Sequence, residues 1–299
     1  MMGFNVSRVV AGKSFDIVGL SYIGAPRSNT AMFISKKVEH LLMALEAVNK
    51  CLIFAERGIN VSNFLAEKHA FHFSENPQLA YAKFAVQFAE ERFAEEKLLR
   101  YTLTAGGYYV SEDVNIPDDA YIEPGCIIGP DVQIGKNAKI LAGTIIRHST
   151  IGNNFLANEY AVIGANGFTM AEDEDGNKLR IPTLGRVVIG NNVEVGTHDN
   201  ISCGSGGDTV IEDYVKIDAL VHLGHDVRLQ KNVEITAGGI IGGFDNLGEY
   251  SYVGINAVLR NRINVGEKAI IGMGSTVTKS VDAGITVAGN PAKVFEKKQ

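Results

Sequence analysis

The run Ile211-Glu212-Asp213-Tyr214-Val215-Lys216-Ile217-Asp218-Ala219-Leu220-Val221-His222-Leu223-Gly224-His225-Asp226-Val227-Arg228-Leu229 decides the fold. An aliphatic residue stands at every sixth position, often followed by glycine, with a small or β-branched residue four places on. The phase holds through Ile235, Ile241, Leu247, Val253, Leu259, Val265, Ile271 and Val277. Upstream it recurs at Ile189, Val195 and Ile201, at Ile151, Ala157 and Ile163, and from Ile116 through Ile122, Ile128, Ile134 and Ile140 to Ile146. Six residues make one short strand and a turn, and one such unit cannot bury its own aliphatic side chain. A stack of them can, so the repeat predicts a parallel β-helix with an aliphatic column inside. Three hexads per coil give a triangular prism of about eight coils.

Glycine follows the same division. Of 33 glycines, 26 lie beyond residue 110, where corners need backbone angles that side chains resist. The composition, 45% hydrophobic and 21% charged, excludes a disordered or collagen-like chain. A net charge of −6 with no basic run offers nothing to nucleic acid. No apolar stretch is long enough to span a bilayer, and Met1–Arg8 lacks a secretory pattern. Cys51, Cys126 and Cys203 are far apart and predict free thiols in a reducing cytoplasm.

The first part of the chain predicts a small α/β domain over residues 1–106, joined near Gly106-Gly107 to a prism over 107–290 and a short tail, 291–299. Asn76-Pro77 suits a helix start, and Tyr81, Phe84, Ala85 and Phe88 form an apolar stripe in a helix expected to reach about Arg100. Short strands are expected over 16–20, 31–34 and 51–55. The gap between Ile163 and Ile189, with its acidic Glu172-Asp173-Glu174-Asp175, reads as a loop ejected from the prism, either a cover for substrate or plain solvated chain. It lacks the late glutamate of a calcium loop.

Ile163-Gly164-Ala165-Asn166-Gly167-Phe168, Lys178-Leu179-Arg180-Ile181-Pro182, Val215-Lys216-Ile217-Asp218 and Gly224-His225-Asp226-Val227 resemble the bacterial UDP-3-O-acylglucosamine N-acyltransferases of lipid A synthesis. So does Asn76-Pro77-Gln78-Leu79-Ala80-Tyr81-Ala82, and the likeness keeps the domain order along nearly the whole chain. The resemblance implies a left-handed β-helix of the hexapeptide acyltransferase kind. It also implies a homotrimer and acyl transfer from a phosphopantetheine thioester to the amine of a nucleotide-linked amino sugar. No tightly bound cofactor and no metal are expected.

His225 matches the family's catalytic histidine, a base whose ordinary pKa lies near operating pH. One coil is eighteen residues, so Gly243 stacks beside it, where the family uses a backbone amide as oxyanion donor. A plain corner glycine is the competing reading. Asp226 stands ready to bias the imidazole tautomer or to face solvent; His222 is a candidate for the acceptor pocket or a stacked histidine ladder. Arg262 falls where the family has a second histidine.

Other positions depart from the family. Its uracil-binding stretch keeps Phe33, but Lys36 and Glu39 replace an asparagine and a tyrosine. Asn200-Ile201-Ser202-Cys203-Gly204 replaces Thr-Ile-Asp-Arg-Gly. After Gly289-Asn290-Pro291-Ala292-Lys293 the chain resembles coenzyme A-dependent transferases, so acyl carrier protein and acyl-CoA both stand as donors. The rival readings are an acetyl-CoA-dependent sugar acetyltransferase and a non-catalytic scaffold that binds a sugar nucleotide.

Overall fold

A computed structural model describes residues 3–295 of the chain. They form two compact units. The first comprises the described residues up to Leu98 together with Phe168–Gly185 and Ser205–Gly207; the second comprises Leu99–Gly167, Arg186–Gly204 and the chain from Asp208 onward.

The first unit is built on a parallel sheet of Gly19–Leu20, Thr30–Ile34, Leu52–Glu56 and Ala70–Ser74. The single strand expected over 16–20 divides, because Asp16–Ile17 pairs antiparallel with Phe4–Asn5 in a separate ribbon. The helix runs Pro77–Glu96, with the Asn76 side chain accepting from the Leu79 amide at 3.0 Å. It stops short of Arg100, in a stretch where Glu95, Glu96 and Lys97 are charged and Leu98 stays exposed, so no packing extends the helix. Its stripe of Tyr81, Phe84, Ala85 and Phe88 is buried against Phe4, Leu52 and Phe54. Phe4 and Phe84 meet edge to face at 4.9 Å, the geometry aromatic quadrupoles favour.

The segment expected as an ejected loop is a hairpin of Thr169–Glu172 and Lys178–Ile181. Ala171 and Ile181 sit in the same core as Phe84 and Phe88, so this part of the break is packed structure rather than solvated chain. The acidic tract forms its turn, where Asp173 accepts from the Asp175 amide at 3.0 Å and the Asn177 amide at 2.8 Å.

The second unit is a left-handed parallel β-helix. Among the described residues, one face carries nine parallel rungs from Tyr109–Ser111 to Thr276–Val277, and another carries nine from Tyr121–Ile122 to Thr286–Ala288. The third carries seven, from Val132–Ile134 to Asn264–Val265. Tyr101–Leu103 pairs antiparallel with Tyr109–Ser111 at one end, and Lys293–Val294 with the Thr286–Ala288 rung at the other. Residues 296–299 of the expected tail lie outside the described residues.

Of the phased aliphatics only Ile116 and Ile134 are partly buried; the rest form one continuous core. Successive rungs from Leu223 through Ile241 and Leu259 to Val277 pair in register, which confirms an eighteen-residue coil. Corners recur as columns of left-handed residues. One column contains Asn137, Asn154 and Asn192, another Tyr160, His198 and Leu220, and a third Asp226, Phe244 and Arg262. Asparagine is at ease at such angles; phenylalanine is not, and Phe244 at φ 64° draws attention to its corner.

Candidate active site

The corner after the His222–Leu223 rung sets the imidazole of His225. Asp226 takes φ 60°, which folds its side chain back so that Oδ2 lies 2.8 Å from His225 Nδ1. The carboxylate side chain is only 4% exposed and the imidazole 14%. The Asp226 amide donates to Thr209 Oγ1 at 3.0 Å, and that hydroxyl donates to the Ser202 carbonyl at 2.7 Å. Because a carboxylate accepts, Nδ1 carries the proton and Nε2 the lone pair, the arrangement of a general base.

Gly243 lies one coil on. A β-carbon there would stand 2.9 Å from His225 Nε2 and 3.0 Å from Cε1, so only glycine admits the imidazole in this pose. The Gly243 carbonyl accepts from the Arg262 amide at 3.0 Å. Its N–H donates to no protein acceptor among the described residues. At another corner the matching amides of Lys136, Asn153 and Asn191 are taken by Asn153, Asn191 and Asp213 side chains at 2.9, 2.9 and 2.6 Å. A basic nitrogen thus adjoins an uncommitted donor, the pair of groups that acyl transfer uses. The next residue, Phe244, presents its ring edge-on to His225, centroids 5.1 Å apart, and the Arg262 guanidinium lies 4.1 Å from the Phe244 centroid.

His222 is half-buried in the same sheet, between Asn200 and Ile240. Burial first, and the charge of His225 second, push its pKa down, which favours neutral imidazole. His222, His225, Asp226, Gly243 and Arg262 therefore lie on three consecutive coils, while Phe33 belongs to the first unit. Phe33 packs against Tyr81 with centroids 5.3 Å apart. The substituted positions beside it are engaged locally: the Lys36 amide donates to Glu56 at 2.8 Å, and Glu39 accepts from the Asn60 amide at 3.0 Å.

Other histidines have structural surroundings. His69 is fully buried, with the Cys51 amide 3.1 Å from Nδ1 and the Leu45 carbonyl 3.1 Å from Nε2. His198 stacks on Tyr160 at 5.2 Å. Among the described residues no group of three metal-ligating side chains converges, and no helix is long and apolar enough to cross a membrane.

The motif reading passed over two buried carboxyls, Asp199 and Asp245, 1% and 0% exposed. Both stand four places after a phased aliphatic, Val195 or Ile241, where the repeat wants a small apolar residue. That violation was the available signal. Burial pushes each pKa up to about 7. Asp199 accepts from the Gly196 and Val221 amides at 2.7 and 2.8 Å; Asp245 accepts from the Ile263 amide at 2.7 Å through Oδ1, and its Oδ2 has no partner.

Residues 113–148 match the bacterial transferase hexapeptide (six repeats) family. The chain is similar to the UDP-3-O-acylglucosamine N-acyltransferase of Cupriavidus pinatubonensis, 26% identical across 93% of this chain and 82% of that protein. A UDP-3-O-acylglucosamine N-acyltransferase 2 from Legionella pneumophila is 37% identical, but the match covers 49% of this chain and 43% of that protein. Among solved structures, the UDP-N-acetylglucosamine acyltransferase of Campylobacter jejuni superimposes with a TM-score of 0.57 at 25% identity, over 63% of this chain and 72% of that one. The Moraxella catarrhalis UDP-N-acetylglucosamine O-acyltransferase, TM-score 0.58 at 22% identity over 65% and 74%, shares the fold.

Proposed function

We infer that this chain is a divergent relative of the UDP-3-O-acylglucosamine N-acyltransferases and that it moves an acyl group from a phosphopantetheine thioester to the amine of a nucleotide-linked amino sugar. The observation that carries this reading is the adjacency of His225 Nε2 to the uncommitted Gly243 amide. Nε2 takes a proton from the acceptor nitrogen as that nitrogen attacks the thioester carbonyl. The oxygen that gains charge accepts a hydrogen bond from the Gly243 N–H. Collapse of the tetrahedral intermediate breaks the carbon–sulfur bond, and the proton on His225 passes to the departing thiolate. Asp226, nearly solvent-free, stabilises the imidazolium between these steps.

In this reading His222 borders the acceptor and Arg262 contacts substrate from two coils beyond His225, while Phe33 offers the first unit a stacking face for a nucleotide base. Acyl carrier protein and acyl-CoA remain alternative donors. A homotrimer is proposed because the outward row of Ile240 and Val258 beside His222 leaves apolar side chains for a second copy to cover. A cytoplasmic setting is proposed on three buried cysteines that form no disulfide.

The test is thiol release from acetyl-, hydroxyacyl- and long-chain acyl-CoA and from the corresponding carrier-protein thioesters, each with several amino-sugar nucleotides. Turnover with a UDP-linked amino sugar is expected. Binding of the nucleotide without turnover on any thioester would make the chain a scaffold and overturn the reading.

A further inference from the structure

We propose that Asp245 is a positioning residue, which pins the Gly242–Phe244 corner so that the Gly243 N–H stays open to the reacting carbonyl. Its kinetic consequence rests on the acyl-transfer reading; its structural consequence does not.

Four places after a phased aliphatic, the chain places Val215, Val221, Val227, Val233, Ala257 and Ile263, which simply fill the prism. Asp245 occupies the same place in the repeat, stacked between Val227 and Ile263 and fully buried, directly after Gly242-Gly243-Phe244. At ordinary corners the amide in that place closes onto the carbonyl three residues back, as Ser251 does on Gly248 and Ala257 on Gly254, each at 3.1 Å. At the corner above the candidate site the Ile263 amide turns instead to Asp245 Oδ1, at 2.7 Å. The Asp245 amide meanwhile closes its own corner onto the Gly242 carbonyl at 3.3 Å. One residue therefore joins two successive corners: its backbone closes the one that carries Gly243, and its carboxyl holds the Ile263 amide of the next, which carries Arg262.

Such a tie has work to do here. Two adjacent glycines have no side chains to stiffen them and leave the corner more backbone freedom than any other pair would. The corner also holds Phe244 at a left-handed angle. A buried carboxyl with one oxygen unpartnered is costly, and an aliphatic residue would remove that cost. A costly group kept beside the reacting atoms is better explained by what it orients than by what it stabilises. Asp199 sharpens the point, because at its corner both oxygens are used. Arg260 is the charged side chain that acts on Asp245; its other determinants are burial and backbone amides.

The experiment uses the full chain with Asp245→Val, which restores the apolar column, and Asp245→Asn, which keeps an accepting oxygen. For Asp245→Val the melting temperature is expected to hold or rise, while kcat falls tenfold or more and KM for both substrates stays within twofold. Asp245→Asn is expected to recover most of kcat. Amide hydrogen exchange at Gly242–Phe244 should quicken at least tenfold in the valine variant and stay unchanged at Gly248–Ser251. Unchanged exchange at Gly242–Phe244, or a kcat within twofold of wild type, overturns the proposal. Should Asp245→Val not fold, Asp245→Ala takes its place, since the same place in the repeat accepts alanine at Ala257 and Ala269. His225→Ala separates the two ideas: retained turnover there sinks the base assignment, whereas the exchange result judges Asp245 with no substrate present.

Discussion

The two units bury their cores by different means. In the prism each aliphatic stacks on its counterparts in the coils before and after, eighteen residues apart where the coils run without insertions, so stability is close to a sum over neighbouring coils. In the first unit the core joins Phe4, Phe54, Phe84 and Phe88 to Ala171 and Ile181, from segments scattered over more than half the chain. A stack can carry one unusual residue at a corner, because the coils on either side keep the register. An aromatic cluster has no such redundancy. The candidate chemistry accordingly sits on the stack, at the corner where Phe244 departs most from what its backbone prefers.

The largest expected effects test that division. His225→Ala should lower kcat by roughly 10²–10⁴, with the circular dichroism and the oligomer of the wild type. Loss of the oligomer or of the strand signal would mean that the corner bears on folding as well as on reaction. Gly243→Ala keeps the amide donor but should still cost about 10² or more in kcat, since the added carbon would stand 2.9 Å from Nε2 and displace the base. Steady-state kinetics with the productive thioester check it; a change confined to KM would return Gly243 to a corner glycine.

A pair of truncations compares the cores directly. Phe84→Ala should destabilise by about 3–5 kcal/mol and Ile235→Ala by about 2–5 kcal/mol. The sharper expectation concerns where the damage spreads. Hydrogen exchange after Ile235→Ala should quicken in the adjoining coils and fade with distance along the stack. After Phe84→Ala it should quicken across the sheet, helix and hairpin of the first unit together. A whole-prism response to Ile235→Ala would break the comparison.

Legibility in the sequence followed the same line. Phased aliphatics repeat, so one glance along Ile211–Val277 gives the coil, its length and the stacking of Gly243 beside His225. The helix of the first unit was readable because its cap and stripe are local. Ala70–Ser74 was not, since the alternation of Phe71, His72 and Phe73 is too short to stand alone, and the strand exists through its pairing with Leu52–Glu56. The hairpin was missed for the same physical reason: four-residue strands gain their burial from a helix about ninety residues upstream. Asp226 was ambiguous because strand alternation does not govern a corner residue; its φ of 60° does.

The smallest effect concerns pH. In the prism burial pushes Asp199 and Asp245 up to about 7, whereas an unfolded aspartate titrates near about 3.9. The folded chain then holds more protons than the unfolded one between those values. Stability from this source is full below about 4, declines as pH rises through the window, and is flat above about 7. The first unit has the opposite sign: Arg8 draws Glu91 down and Asn177 draws Asp173 down, so their support is lost as pH falls. Glu91 is exposed and Asp173 lies in a surface turn, so solvent screening keeps that contribution small. His222, pushed down by burial, likewise loses support as pH falls below about 6.5. Denaturation midpoints at pH 5 and pH 8 should therefore favour pH 5 for the prism, and the Asp199→Asn/Asp245→Asn pair should remove most of that difference. An unchanged difference in the double variant would mean that neither carboxyl binds its proton inside the folded prism.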